Sequence, residues 1–101
     1  MTIHSVQSND GKNTSISVIG RFDYSLQKEF CAAFKKSNNG VNSYTVDMKE
    51  TTHLDSSALG LLLLLRNHAN GNASNINIVN CSDSVKRILS IASFEDLFNI
   101  E

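Results

Sequence analysis

Proline is absent from the 101 residues, and only five glycines and two cysteines are present. Without proline, and with Asn39-Gly40 and Asn70-Gly71 marking pliable turns, the composition argues against a thermophile. Cys31 and Cys81 form no CxxC pair and no signal peptide precedes them, so they read as reduced core thiols rather than the staples of a small secreted scaffold. The three histidines, His4, His53 and His68, have no regular ligand spacing, and no metal or other cofactor is expected. Charge of one sign is also lacking: nine basic and ten acidic residues leave a formal charge of −1 with no long runs. That excludes the electrostatic footprint of a nucleic-acid or anionic-lipid binder. Ala58 to Leu65, broken only by Gly60, is the longest apolar run and falls far short of the roughly 20 residues a membrane span needs. With no targeting segment either, the protein is expected to be soluble and cytoplasmic, with no membrane insertion.

A hydrophobic content of 41% against 19% charged residues suits one folded core and excludes global disorder. The length allows a single domain over residues 1–101. Thr2 to Gln7 and Thr14 to Gly20 read as strands joined at Asn9-Asp10-Gly11-Lys12, whose Asp-Gly step signals a hairpin. Leu26, Phe30, Ala33 and Phe34 form one apolar stripe of a helix with Ser25 as N-cap, ending at Asn38-Asn39-Gly40. Tyr44, Val46 and Met48 alternate on a third strand, and Lys49 to Leu54 connects it to a helix from Ser57 to His68. Apolar nearly all round, that helix is expected to be buried on most sides, with Leu59, Leu62 and Leu63 anchoring it. Ile76 to Val79 is a short strand, Val85, Ile88, Leu89 and Ala92 mark a third helix begun by Ser82-Asp83-Ser84, and Leu97 to Ile100 is a final strand. The order ββαβαβαβ, without internal repeats, predicts an α/β fold: a mostly parallel sheet with an antiparallel N-terminal edge hairpin and helices packed on it. The five phenylalanines, Phe22, Phe30, Phe34, Phe94 and Phe98, are core candidates.

In such a fold chemistry collects where a strand hands over to a helix, because the helix N-terminus presents unpaired N–H groups and positive partial charge. His53-Leu54-Asp55-Ser56-Ser57-Ala58-Leu59-Gly60 is such a handover. Taken alone, Asp55 and Ser56 read as an ordinary helix cap. Joined to Gly20-Arg21-Phe22-Asp23 some thirty residues earlier, and to Ser84-Val85-Lys86-Arg87-Ile88-Leu89 in the third helix, the whole chain resembles the STAS domain family, and more narrowly the bacterial anti-sigma factor antagonists. The resemblance implies the anti-sigma factor antagonist-like fold and a protein-binding switch in signal transduction and transcription regulation. In that family the serine after this aspartate is phosphorylated by a partner serine protein kinase, the anti-sigma factor, and a PP2C-like phosphatase removes the phosphate.

Carried over by position, Ser56 becomes the phosphoacceptor, with Ser57 second, and Asp23, Tyr24, Asp55, Ser56, Ser57 and Ala58 form the partner surface. A phosphate adds about −1.5 to −2 charges, which a helix N-terminus tolerates without unfolding, so the fold should survive the switch. Two departures are visible. Ala58 stands where many family members have glycine, and the chain ends at Glu101 where better-known antagonists continue into a helix, which is expected to leave one sheet face less covered.

Two other functions compete. A hydrolase with Ser56 as nucleophile and His53 or His68 as base lacks a Gly-x-Ser-x-Gly elbow, so the chain is not expected to be an enzyme. His53 reads instead as a loop residue and His68 as an exposed helix end. Single-domain members of the family also serve as constitutive regulatory subunits of ABC-type transport ATPases, which is the alternative to a switch. Lys35-Lys36 and Lys86-Arg87 read as solvated helix surface.

Overall fold

The chain's computed structural model describes residues 2–35, 43–69 and 76–101, so the expected helix end at Asn38-Asn39-Gly40 and the turn at Asn70-Gly71 lie outside the described residues. β1 (Ile3–Gln7) and β2 (Asn13–Val18) form the expected antiparallel hairpin, pairing Ile3 with Val18 and Gln7 with Thr14. The turn follows from its residues. Gly11 takes φ 73°, open to glycine, and Asp10 Oδ1 accepts from Ser8 Oγ at 2.7 Å and Lys12 N at 3.0 Å. β2 then pairs in parallel with β4 (Ser43–Asp47), β4 with β6 (Ile76–Val79), and β6 with β7 (Asn99–Ile100), giving the sheet order β1-β2-β4-β6-β7. The mostly parallel sheet with an antiparallel edge is therefore observed.

Alternation sets which face is buried. Thr14, Ile16 and Val18 of β2, Tyr44 and Val46 of β4, and Ile76 and Ile78 of β6 point inward. They meet Phe30, Ala33 and Phe34 of α1 (Gln27–Lys35), Leu61, Leu62 and Leu65 of α2 (Ser56–His68), and Val85 and Leu89 of α3 (Asp83–Ile91). All five phenylalanines are buried, and Phe22, Phe30 and Phe34 run in a chain of tilted and edge contacts at 5.2 and 5.7 Å between centroids.

The sequence reading needs correction between the strands and helices. Lys49 to Leu54 is not a plain connection: Thr51–Leu54 is a strand, β5, which pairs in parallel with a short strand β3 (Gly20–Phe22) to make a separate two-stranded ribbon. Gly20 makes the break from β2 possible with φ 85°, and its N–H donates to Glu50 O at 2.9 Å. Thr51 is buried because its hydroxyl donates to Val18 O at 2.7 Å, stitching the ribbon to the sheet. The first helix is entered through a 3-10 turn, Tyr24–Leu26, capped by Asp23 rather than Ser25. A second 3-10 turn, Phe94–Asp96, precedes β7, which is shorter than the expected strand from Leu97. Cys31 and Cys81 are free and half-buried, at the margin of the core.

Candidate functional site

The ribbon exists to deliver two chain segments to one rim. Leu54 is buried at the end of β5, and Asp55 follows in extended conformation, φ −120° and ψ −177°, as the N-cap of α2. One carboxylate oxygen, Oδ1, accepts from Ser57 N at 3.0 Å, Ser57 Oγ at 2.6 Å and Ala58 N at 3.2 Å, so two of the orphan N–H donors of the first turn are satisfied by the cap. Ser56, the first helical residue, is exposed, and among the described residues its hydroxyl takes part in no hydrogen bond. Ala58, Leu61, Leu62 and Leu65 root the helix below it.

The neighbouring strand repeats the arrangement. Phe22 is buried, Asp23 follows at φ −145° and ψ −172°, and its Oδ1 accepts from Ser25 N at 3.0 Å and from Ser25 Oγ. β3 and β5 pair Arg21 with His53 and Phe22 with Leu54, so one step past the last pair the two caps stand side by side. Arg21-Phe22-Asp23-Tyr24-Ser25-Leu26 and His53-Leu54-Asp55-Ser56-Ser57-Ala58 share one pattern: basic, buried, aspartate cap, exposed, hydrogen-bonding serine, buried. Tyr24, 62% exposed, thus occupies the place in its turn that Ser56 has in the other.

Both carboxylates are held below the usual range. For Asp55 the main cause is the Ser57 hydroxyl, followed by the Ala58 N–H, with a smaller pull from His53. For Asp23 it is the Ser25 hydroxyl and then the Ser25 N–H, with a lesser contribution from Arg21, whose Nε lies 3.6 Å from Asp23 Oδ2. The rim is therefore anionic at neutral pH, with Arg21 and His53 set two residues behind it.

Of the residues expected on a partner surface, Asp23, Tyr24, Asp55, Ser56 and Ser57 come together here. Ala58 does not: its side chain is fully buried, because the first turn of α2 packs inward at that position, and only its N–H serves the cap. The anchoring leucines also need correction. Leu62 is buried with Leu61 and Leu65, whereas Leu59 is half-buried and Leu63 and Leu64 are 39% and 42% exposed. Ser56, Gly60, Leu63, Leu64 and Asn67 therefore form one solvent-facing stripe at helical spacing, running away from the capped end. His53 lies on β5, exposed, not in a loop, and His68 is half-buried with its ring 5.0 Å from Phe34 and 6.2 Å from Tyr44. Among the described residues no group of three His, Cys, Asp or Glu side chains is placed to hold a metal ion, and no helix is long and apolar enough to cross a membrane. An open hollow of about 380 Å³ lies elsewhere, lined by Asp83, Lys86, Arg87, Ser90, Glu95 and Ile100. It shares no residue with the capped rim, which projects rather than encloses.

Comparison with known proteins agrees with this fold. The chain is 44% identical over 100 residues to a STAS-domain containing protein of Pseudomonas aeruginosa (strain UCBPP-PA14), covering 99% of both chains. Its fold superposes on the anti-sigma factor antagonist SpoIIAA in its unphosphorylated form with a TM-score of 0.74 at 15% identity, over 98% of this chain and 86% of that one. For the phosphorylated form of the Bacillus cell fate determinant SpoIIAA the TM-score is 0.67 at 14% identity, over 98% and 90%. Those two likenesses are of fold. The family model described as "Mlab, STAS domain" matches residues 5–99, nearly the whole of the folded unit, and the chain belongs to the STAS domain family.

Proposed function

We propose that the chain is an anti-sigma factor antagonist-like switch: unphosphorylated, it binds a serine protein kinase that is also an anti-sigma factor, and phosphorylation of Ser56 releases it. The observation that carries this reading is the contrast between two adjacent hydroxyls. Ser57 Oγ is engaged with Asp55 at 2.6 Å, whereas Ser56 Oγ is exposed and free of hydrogen bonds among the described residues. In the transfer the kinase's ATP gives its γ-phosphoryl group to Ser56 Oγ, the hydroxyl proton leaves and ADP departs. A PP2C-like phosphatase would restore the serine by hydrolysis to inorganic phosphate. On this reading the catalytic sites belong to the partners, and the chain itself is a cytoplasmic binding module with no cofactor.

The release follows from electrostatics. A partner seated on Tyr24 and Ser56 already meets the ionised Asp23 and Asp55, and a phosphate adds about two further negative charges at the centre of the contact. Desolvating that charge with no counter-ion supplied by the partner opposes binding by several kilocalories per mole, on the order of 2–5. The helix beneath remains in place, because Ala58, Leu61, Leu62 and Leu65 are buried and an anion at a helix N-terminus is electrostatically favourable. That SpoIIAA has been solved in unphosphorylated and phosphorylated forms supports the same logic in a protein of this fold.

A second reading has one observation in its favour. The exposed leucines of the α2 stripe make an apolar docking strip that does not depend on the hydroxyl, as a constitutive subunit of an ABC-type transport ATPase would require. Intact-mass and site-mapping mass spectrometry on the protein from its native cells, wild type beside Ser56→Ala, separates the two. A single phosphate on Ser56 that disappears in the variant is expected. No phosphate in growth or stress, with an ATPase retained in the same purification, would replace the switch by the subunit.

A further inference from the structure

Arg21 occupies an unusual position for an exposed cation. Its side chain is 67% exposed, and its Nε lies 3.6 Å from Oδ2 of Asp23, just past the end of β3. Its strand partner is His53, three residues before Ser56, and its approach to Asp23 sets the guanidinium beside one of the two carboxylates of the rim that carries Tyr24 and Ser56. Asp23 does not depend on it: the Ser25 hydroxyl and N–H are its principal stabilisers, and Arg21 contributes less. The ion pair is therefore one that the cap can lose.

Resting on the reading of Ser56 as phosphoacceptor, we propose that Arg21 is the internal counter-ion of the phosphorylated form, exchanging Asp23 for the phosphate on Ser56. A guanidinium pairs with a phosphate through two parallel N–H donors, and a dianion attracts it more strongly than a single carboxylate does. The other groups facing the phosphate act in known directions. Asp23 and Asp55 repel it, His53 attracts it when protonated, and Tyr24 contributes a hydroxyl. Among the described residues Arg21 is thus the one permanent cation on the two ribbon strands, set against two carboxylates. Its transfer would keep the phosphate dianionic near neutral pH and withdraw the same cation from the unmodified docking surface. Arg21 would be a positioning residue for the released state.

The test uses full-length protein carrying phosphoserine at position 56, built in during synthesis, and follows the phosphorus NMR shift against pH. Phosphoserine ordinarily loses its second proton near pH 6. Arg21→Gln is expected to raise the midpoint by about 0.8 pH unit, roughly sixfold in proton affinity, the effect of a unit charge paired at about 4 Å in a water-like dielectric. Arg87→Gln, an equal charge change on the exposed face of α3, is expected to leave it unmoved. The Arg21 effect should persist in a His53→Gln background, which removes the other basic side chain of the ribbon. An unshifted midpoint in Arg21→Gln, an equal shift in Arg87→Gln, or loss of the effect with His53 would each overturn the proposal. Because the phosphate is built in, such a failure leaves Ser56 as a phosphoacceptor untouched. Conversely, absence of phosphate on Ser56 in cells would remove the switch without altering the titration.

Discussion

Ser56 and Ser57 are adjacent and chemically identical, and the fold predicts that alanine at the two positions has opposite consequences. Ser57 Oγ donates to Asp55 Oδ1 at 2.6 Å in a part-buried bond. Hydrogen bonds to charged groups contribute about 1.5–3 kcal/mol when fully sheltered. The lower figure is reduced further here, since Ser57 is only half-buried and Asp55 keeps the N–H groups of Ser57 and Ala58. Ser57→Ala is therefore expected to cost about 1 kcal/mol, or roughly 4–8 °C in Tm for a domain of this size. Ser56→Ala removes an exposed hydroxyl with no partner among the described residues, and should change stability by less than about 0.5 kcal/mol. It should nevertheless abolish phosphate incorporation. Urea unfolding monitored by circular dichroism, with the slope fixed between variants, gives the first comparison, and intact mass after incubation with cell extract and ATP gives the second. A destabilised Ser56→Ala beside an unaffected Ser57→Ala would refute the hydrogen-bond assignment. Phosphate retained in Ser56→Ala and lost in Ser57→Ala would refute the choice of acceptor.

Asp23 and Asp55 have folded-state carboxyls below their ordinary value of 3.8, so the stability they confer is present above that value and is lost as pH falls through the depressed folded values. Urea midpoints measured from about pH 5 downward should fall less steeply in Asp55→Asn than in wild type, and identical slopes would count against the cap. Gly20→Ala meets no atom within 4 Å, but φ 85° strains any residue with a Cβ, and a loss of about 1–2 kcal/mol is expected in the same assay. Among the described residues Thr14 Oγ1 is buried without a hydrogen-bond partner, so Thr14→Val, which removes the hydroxyl at constant shape, should raise stability by about 1 kcal/mol. A loss of stability there would show that the hydroxyl is satisfied.

The hairpin was legible because Asp10-Gly11 leaves few alternatives, and α2 because its apolar run ends at recognisable polar residues. β3 and β5 were not, for a physical reason. Thr51-Thr52-His53-Leu54 buries only its first and last residues, so no alternation marks it, and Thr51 is drawn into the core by a hydrogen bond to Val18 O rather than by hydrophobicity. Without the ribbon, nothing in the sequence reading brought Asp23 and Asp55 to adjacent places in register. Asp23 and Ser25 are both good N-caps, and spacing alone could not rank them; the structure shows serine donating to aspartate. A helix apolar on every side carries no periodic signal for the face that meets water, so the exposure of Leu63 and Leu64 was invisible. So was the burial of Ala58, for which the motif gave a position and no direction. The signal that would have found Arg21 was present as the parallel between Arg21-Phe22-Asp23 and His53-Leu54-Asp55, too short to register as a repeat.

That parallel explains why a modification at this rim need not disturb the fold. At each strand end the aspartate takes the unpaired N–H groups of the turn, the serine two places on donates to the aspartate, and the buried residue after it fixes the turn to the core. Everything structural is done by the first, third and fourth residues, and the second is left exposed. Placed on Ser57, a phosphate would remove the donor that chiefly stabilises the Asp55 carboxylate and set a dianion against it, opening the cap of α2. At Ser56 the same group finds a satisfied cap and a helix rooted by Leu61, Leu62 and Leu65. If Ser56 is the phosphoacceptor as proposed, the order aspartate, serine, serine separates the residue whose charge changes from the residue whose hydrogen bond holds the cap. A partner reading this surface would meet an altered charge on an unaltered backbone.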